Sequence, residues 1–259
     1  ARGFGLPVPE TLPLRSEAAE AFALTHPCVV KPQFSSAGHG LLILDRGGPL
    51  PTTQTPAVVQ AYLPGEELSS FSIARRGRVI GTVIYRGLII SGSVAVCFQV
   101  LPDPDPAMLD WIERFVQAAG YSGFIAFDFR RDENGQALPI ECNPRTTSGV
   151  HFVDPRDLAA AILDPAAENP FRLREERVLQ QFYPALTETQ GAALKGRTWR
   201  PNMKYLFGCR DVTLDRRDPL PFLLLLPLLL LVVLPAVRVE WRAPDCLLLI
   251  YIASGLISL

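Results

Sequence analysis

The sequence predicts an α+β protein, and three observations support this prediction. After one short helix, apolar segments of strand length fill most of residues 28–100. A capped helix follows these segments, and a β-hairpin follows the helix. Because strands and helices occupy successive blocks and no strand–helix–strand repeat is visible, the order favours an α+β arrangement over a parallel sheet.

The first 63 residues are predicted to form one helix, three strands and a flexible loop. The predicted elements are a helix over 16–24 and strands over 28–32, 41–44 and 57–63. Ser16 is a suitable N-cap for the helix, since its hydroxyl can accept from a free backbone N–H. The stretch 33–40 consists mainly of small residues and is predicted to be a loop.

Residues 68–119 are predicted to form a β-meander and then a helix. The meander has strands over 68–75, 79–85 and 93–100, with a turn at Arg76-Gly77. The helix covers 106–119, since Asp105 is a good N-cap, Pro106 fits the first turn and Gly120 lies just past the end.

Residues 123–145 predict a hairpin in which each strand carries a carboxylate. Asn134-Gly135 is a strong signal for a two-residue turn, because both central positions of that turn need positive φ. With this turn, paired residue numbers add up to 269, and Asp128 lies opposite Glu141. Such pairs hold their Cβ atoms about 5 Å apart, and like charges there repel. A divalent cation removes the repulsion, and Mg²⁺ prefers carboxylate oxygens and shares its shell with phosphates.

The other side chains of the second strand support a metal–phosphate site. Strand alternation places Glu141, Asn143 and Arg145 on one face. The competing interpretation is a solvated edge hairpin with two unrelated acids. Both carboxylates lie inside apolar runs, 124–129 and 137–140, rather than among the loop charges. This position favours the metal site.

Two further stretches fit a nucleotide. Lys31 ends a strand just before the small-residue loop, an arrangement that can hold phosphates with a cation and backbone N–H groups. The loop lacks the G-x-x-x-x-G-K-[ST] pattern, so it is not a Walker-type P-loop. In Gln60-Ala-Tyr-Leu-Pro-Gly-Glu-Glu67, a strand edge can meet a base, and a carboxylate past the turn can accept from ribose hydroxyls.

Composition excludes several classes of function. The net charge is −1 with 20% charged residues, so no basic field points to a nucleic-acid partner. The five cysteines form no C-x-x-C pair, which argues against a zinc knuckle or a secreted disulfide framework. We therefore expect a cytoplasmic protein.

The C-terminal region changes character. Residues 172–217 are rich in Lys and Arg, and 219–237 form an uncharged apolar run that reaches the length of a membrane-spanning helix. Prolines at four positions within the run count against a regular spanning helix. Membrane association through 219–237, a buried helix packed on the core, and a non-native end are all left open.

Taken together, the order Lys31, small-residue loop, Gln60-x-x-x-x-Gly-x-Glu67, Asp128 and Glu141-x-Asn143-x-Arg145 resembles the ATP-grasp superfamily of carboxylate–amine and carboxylate–thiol ligases. The resemblance covers about residues 1–165. It implies two α+β subdomains with the nucleotide between them, followed by an apolar C-terminal tail. Family members usually carry an N-terminal domain that we expect this chain to lack.

The resemblance also implies a role for each matching residue, with ATP and Mg²⁺ or Mn²⁺ as cofactors. Arg145 is the catalytic candidate, near the γ-phosphate or the acyl substrate, and Thr146 to His151 would border the acceptor site. The phosphate ligands would be Lys31, Ser35, Ser36, Gly38 and Gly40. The adenine hinge would be Gln60, Ala61, Tyr62 and Leu63, with Glu67 on the ribose. The metal ligands would be Asp128, Glu141 and Asn143.

The domain and function predictions follow from this resemblance. The small subdomain is expected over 1–67, the large one over 68–170, and a C-terminal extension of basic linker and apolar helices over 171–259. The implied function is an ATP- and Mg-dependent ligase that activates a small carboxylate as an acyl phosphate for an amine or thiol. One alternative is a truncated or degenerate ATP-grasp module that binds nucleotide without turnover. The other is a membrane-tethered scaffold with a purely structural hairpin.

Overall fold

The computed structural model describes residues 1–34, 38–164 and 171–225, which divide into two compact units. Unit 1 contains residues 1–84 and 103–147. Unit 2 contains 85–102 and, among the described residues, 148–164 and 171–225. The domain boundaries expected after residues 67 and 170 stay a prediction.

Unit 1 contains most of the strands. Its elements in chain order are β1 (Thr11–Pro13), α1 (Glu17–Thr25), β2 (Cys28–Pro32), β3 (Leu42–Leu44), β4 (Ala57–Ala61), β5 (Glu67–Arg75), the first half of β6 (Arg78–Ser91), α2 (Pro106–Ala118), β8 (Gly123–Arg131) and β9 (Ala137–Asn143).

Unit 2 begins with the second half of β6. It continues with β7 (Val94–Val100), a 3-10 turn (Ser148–Phe152), α3 (Pro155–Leu163), β10 (Val178–Gln180), α4 (Phe182–Leu194), α5 (Arg200–Gly208) and β11 (Arg210–Asp211).

A four-stranded antiparallel sheet carries Lys31 and Gln60 in unit 1. Its strand order is β1, β4, β2, β3, and Lys31 on β2 lies opposite Val58 on β4. Helix α1 covers one face through a small apolar core, in which Ala19, Cys28 and Val59 are fully buried. As predicted, Ser16 caps α1, accepting from the Ala19 N–H at 3.2 Å.

The hairpin belongs to the second sheet of unit 1, where β9, β8, β5 and β6 are neighbours in that order. Helix α2 packs its buried stripe on this sheet, with an aromatic core at the contact. Trp111 lies edge-on to Phe127 at 5.1 Å, and Phe115 lies edge-on to Phe127 at 5.0 Å. The helix is capped by Asp105, which accepts from the Ala107 N–H. This packing makes β8 a rigid support for any side chain on its opposite face.

In unit 2, strands β6, β7, β10 and β11 are neighbours in the sheet in that order. Helices α4 and α5 cover a core around Cys97, Ala185 and Leu206. In a second core region, the ring of Phe152 lies edge-on to that of Phe98, with the ring centres 5.6 Å apart.

The described elements confirm the predicted α+β class. Two of the predicted element assignments are corrected. Strand β6 was expected to end at residue 85 but continues to Ser91, because Arg86 and Gly87 continue to pair with β7. Sequence analysis assigned no helix or strand to residues 172–217, where the structure has α4, α5, β10 and β11.

The apolar run 219–237 is described only as far as residue 225, where it begins a helix. The rest of the predicted tail lies outside the described residues. Among the helices described, none combines the length and apolar character needed to cross a membrane.

Candidate nucleotide and metal site

Strands β8 and β9 bring the two predicted carboxylates together. Asp128 lies directly opposite Glu141, as predicted, and Ala126 lies opposite Asn143. Nearer the turn the register shifts by one residue, so that Phe129 pairs with Pro139 and Ile140 has no partner on β8. Ile140 is therefore the extra residue of a β-bulge next to the carboxylate pair.

The predicted two-residue turn at Asn134-Gly135 is wrong. The strands end at Arg131 and begin again at Ala137, and only Gly135 has positive φ, at 83°. Asp132 organises the loop, since its carboxylate accepts from the N–H groups of Asn134 and Gln136. The longer loop would move the register by one residue, and the bulge moves it back. The predicted pairing is thus correct although its predicted cause is not.

Asp128 lies in an environment that disfavours its charge. Burial, together with the nearby carboxylates of Glu141 and Glu67, raises the pKa of Asp128 from 3.8 to about 6, although the Ser69 hydrogen bond and the charge of Arg145 act in the opposite direction. The Ser69 hydroxyl donates to Asp128 Oδ1 at 2.7 Å. The buried Asn143 amide donates to Oδ2 at 3.1 Å. Both oxygens are therefore fixed in place.

Strand β5 holds the backbone beside Asp128 in an unusual way. Ser69 pairs with Asp128 and Ser72 with Ile125, but the two positions between them are not paired. The buried Ser70 hydroxyl fills this gap, because it donates to the Phe127 carbonyl at 3.1 Å and accepts from the Phe127 N–H at 2.9 Å. Sequence analysis missed Ser69 and Ser70, since serines within a strand carry no signal of their own.

Lys31 lies close to the hairpin and is held by two acceptors. Its Nζ donates to Gln60 Oε1 at 3.0 Å and to the carbonyl of the bulge residue Ile140 at 2.7 Å. Gln60 is itself fixed, because its amide donates to Thr11 Oγ1 at 3.1 Å. Burial lowers the pKa of Lys31, while the charges of Glu141 and Asp128 favour the ammonium form. The structure thus brings together a predicted phosphate ligand, a predicted hinge residue and the carboxylate pair.

The predicted hinge ends in a turn that is tied to β8. Gly65 N–H donates to the Arg131 carbonyl at 2.9 Å, and Arg131 N–H donates to the Glu66 carbonyl at 3.1 Å. A Cβ on Gly65 would lie 2.6 Å from the Arg131 carbonyl oxygen, so only glycine fits there. Glu67, at the start of β5, lies opposite Arg130. The hinge residues Ala61, Tyr62 and Leu63 lie between Gln60 and this turn.

The predicted loop residues and Arg145 are solvent-exposed wherever the structure describes them. Ser35 and Ser36 lie outside the described residues, and Gly38 and Gly40 are in an exposed turn. The exposed Arg145 donates to Asn143 Oδ1 at 3.1 Å and to the Thr146 carbonyl. Asn143 acts here as a donor to Asp128, so its role as a metal ligand stays a prediction.

His151, expected near an acceptor site, belongs to unit 2. Burial, together with the charge of Arg174, lowers the pKa of His151 to about 4, so the imidazole is neutral near pH 7. Its ring stacks on Phe98 at 6.3 Å.

The donor set is incomplete for a metal held by protein alone. Across the residues that the structure describes, no group of three or more His, Cys, Asp or Glu side chains is placed to hold a metal ion. The hairpin offers two carboxylates and one amide.

Comparison with known proteins agrees with the sequence analysis. The model of the ATP-grasp domain family matches residues 2–149, and a search of curated proteins found no match. Similar solved structures include N5-carboxyaminoimidazole synthetase from Staphylococcus aureus, with 17% identity and a TM-score of 0.46 over 58% of this chain and 43% of that one. Biotin carboxylase from Campylobacter jejuni, solved as a β-γ-ATP complex, has 17% identity and a TM-score of 0.48 over 57% and 39%.

An L-amino acid ligase from Bacillus licheniformis has 18% identity and a TM-score of 0.42 over 57% of this chain and 39% of that one. The chain thus spans about two fifths of the length of these structures. The family match covers more than half of the sequence and confirms the resemblance and the fold inferred from it. The chain belongs to the ATP-grasp family.

Proposed function

We propose that unit 1 binds ATP with Mg²⁺ or Mn²⁺ and forms the nucleotide-binding part of a ligase. The ligase would activate a carboxylate as an acyl phosphate for attack by an amine or a thiol. The observation that carries this proposal is the opposed pair Asp128 and Glu141, with Lys31 linked to the same hairpin through Ile140. Family membership supports the nucleotide, and the site geometry supports the metal.

The chemistry of the donor set fits Mg²⁺ better than a resident structural metal. Two carboxylates and an amide are hard oxygen donors, but they are too few to fill an octahedral shell. Phosphate oxygens and water would supply the remaining ligands, which is how Mg²⁺ is commonly bound with nucleotides. When bound, Mg²⁺ would neutralise charge that develops on the β- and γ-phosphates.

The residues of the chain contribute mainly position and charge. Phosphoryl transfer asks a protein to hold the phosphates and the attacking oxygen in line. Asp128 is fixed by Ser69 and Asn143, and Lys31 by Gln60 and Ile140, so neither has to be ordered when substrate binds. Arg145, next to Asn143, has the planar guanidinium suited to a carboxylate or a phosphate.

The second candidate is a nucleotide-binding module that does not turn over by itself. The family match favours it in one respect, because an ATP-grasp domain supports nucleotide binding but identifies no particular reaction. The two candidates share the same nucleotide site and differ only in turnover.

Calorimetry and a phosphate-release assay together test both candidates. We expect the purified chain to bind ADP, with an affinity that rises at least tenfold when Mg²⁺ replaces EDTA. A screen of carboxylates paired with amines and thiols then separates a ligase, which releases phosphate only with both substrates, from a binding module. Absence of Mg²⁺-dependent ADP binding would reject both candidates.

A further inference from the structure

Two adjacent arginines at the end of β8 differ sharply in their surroundings. Arg131 has partners for its guanidinium, since it donates to Asp105 Oδ2 at 3.1 Å and to the Gly135 carbonyl at 2.7 Å. Arg130 is the opposite case. Its Nε is buried, and within the described part of the chain it has no hydrogen-bond partner.

A buried guanidinium N–H without an acceptor is unusual. Transfer of a polar group out of water costs free energy unless a hydrogen bond replaces the lost one. Nearly all such groups in folded proteins are paired, so an exception calls for an explanation, and a functional role or an acceptor from outside the chain are among the explanations. The unpaired Nε indicates a ligand acceptor at this position.

The position of Arg130 indicates which ligand this is. On β8, Arg130 is two residues from Asp128 and therefore on the same face, about 7 Å further along the strand. Its guanidinium carbon lies 5.5 Å from the ring centre of Tyr62 in the predicted hinge. On the neighbouring strand it lies opposite Glu67, the predicted ribose ligand. Arg130 is thus at the nucleoside end of the site, and Asp128 is at the phosphate end.

A purely structural role explains less of this arrangement. The contact with Tyr62 is a cation–π interaction, which would stabilise the charge of Arg130. That contact joins the guanidinium carbon and the Tyr62 ring, and it leaves Nε without a hydrogen-bond acceptor among the described residues.

Resting on the nucleotide site proposed above, we propose that Arg130 is a nucleotide-binding residue. Its guanidinium, which lies over the Tyr62 ring, donates through Nε to an oxygen or nitrogen acceptor on the adenosine part of ATP. In the free protein the Nε donor of Arg130 is unpaired, and in the proposed complex it is paired with the nucleoside.

Arg131 provides a matched control on the same strand. We compare Arg130→Met, Arg130→Lys and Arg131→Met by calorimetry with AMP and with MgADP, and by urea unfolding without ligand. We expect Arg130→Met to weaken AMP and MgADP by a similar factor, roughly tenfold, as the loss of one hydrogen bond to a ligand predicts. Arg130→Lys should not restore binding, because lysine has no Nε–H in a planar guanidinium.

Unfolding separates a binding role from a structural one. Arg130→Met removes an unpaired buried donor, so its urea midpoint should equal or exceed that of wild type. Arg131→Met removes paired donors, so it should lower the urea midpoint and leave nucleotide affinity unchanged. Three results with Arg130→Met would each overturn the proposal. These are an unchanged affinity for MgADP, a weaker affinity for MgADP but not for AMP, and a urea midpoint as low as that of Arg131→Met. A wild-type chain that binds neither ligand would instead reject the nucleotide site itself.

Discussion

Two hairpins of this molecule have a similar backbone arrangement but differ in the polar side chains that face each other across the strands. The β6–β7 hairpin in unit 2 turns through Gly92-Ser93, with Gly92 at a φ of 61°, and shifts its register twice near Ile89. The β8–β9 hairpin in unit 1 shifts its register once, at Ile140. In the first, Arg86 faces Gln99 and donates two hydrogen bonds to it, at 3.1 and 3.0 Å. In the second, Asp128 faces Glu141.

The difference separates a structural polar pair from a candidate binding site. Arg86 donates to Gln99, so this facing pair is favourable by itself. Two facing carboxylates repel each other, and the fold fixes Asp128 in this position with Ser69 and Asn143 rather than letting it turn away. An acidic pair that is unfavourable by itself, with Asp128 held in place, is the feature on which the proposed cation rests.

The largest expected effect tests this contrast directly. Asp128→Asn or Glu141→Gln should lower the affinity for MgADP on the order of a hundredfold or more and abolish any turnover, because each removes a proposed charged metal ligand. Calorimetry with MgADP, together with circular dichroism of the folded protein, measures both parts of this prediction.

The matched control is Gln99→Leu in the other hairpin. It should lower the free energy of unfolding by about 1–3 kcal/mol, since Arg86 loses an acceptor, and leave MgADP affinity unchanged. Wild-type MgADP affinity in both carboxylate variants would mean that the two hairpins do not differ in function.

A smaller effect is expected from the serine that positions Asp128. Ser69→Ala should weaken Mg²⁺-dependent ADP binding roughly 10- to 100-fold, as the loss of a residue that orients a metal ligand does, with little effect on ADP in EDTA. Ser69→Thr, which keeps the hydroxyl, should restore much of the affinity.

Ser72 on the same strand is the control for this prediction. It is fully buried, and its hydroxyl lies 2.9 Å from that of Thr82 on β6, so Ser72→Ala also removes a side-chain hydrogen bond of β5. If Ser69→Ala and Ser72→Ala weaken Mg²⁺-dependent binding equally, Ser69 has no specific connection to the metal.

The hinge turn gives a third test, on stability. Gly65→Ala should lower the free energy of unfolding by roughly 1–3 kcal/mol, since the added methyl group would overlap the Arg131 backbone. Urea unfolding measures the change, and Gly3→Ala, where a Cβ would meet nothing within 4 Å, should be nearly neutral. Equal stability of the two variants would show that the hinge does not pack on β8 as described.

The smallest expected effect is on the pH dependence of stability, through His151 in unit 2. The pKa of His151 is lowered from 6.5 to about 4 in the folded chain, so between these values the unfolded chain binds more protons. Stability from this group is therefore complete above pH 6.5 and is lost as the pH falls, by about 1 kcal/mol between pH 6.5 and 5.5. Asp128 has a raised pKa and acts with the opposite sign, so wild type must be compared with His151→Gln. An identical pH dependence of unfolding in both proteins would contradict the shift.

Local signals made much of this architecture predictable. The caps Ser16 and Asp105 placed α1 and α2 correctly, since capping depends on neighbours in sequence. The opposed carboxylates were also predicted, but through a two-residue turn that does not form. The loop Asp132–Gln136 and the bulge at Ile140 compensate each other, and neither has a clear signature in the sequence.

Features that depend on tertiary contacts were not predictable. Arg130 and Arg131 are indistinguishable in a run of charged residues, and only the surrounding structure pairs one and not the other. Helices α4 and α5 were missed because the Lys- and Arg-rich composition of 172–217 suggested a basic linker. Their prolines, Pro184 and Pro201, fall in the first turn, where proline is tolerated.

The most direct test of the central claim is a crystal of the chain grown with ADP and Mn²⁺ and measured at the manganese absorption edge. Our account predicts an anomalous peak in contact with carboxylate oxygens of both Asp128 and Glu141 and with a nucleotide phosphate, at coordination distances of about 2.1 Å. Bound nucleotide with manganese elsewhere, or with no manganese at this hairpin, would contradict it.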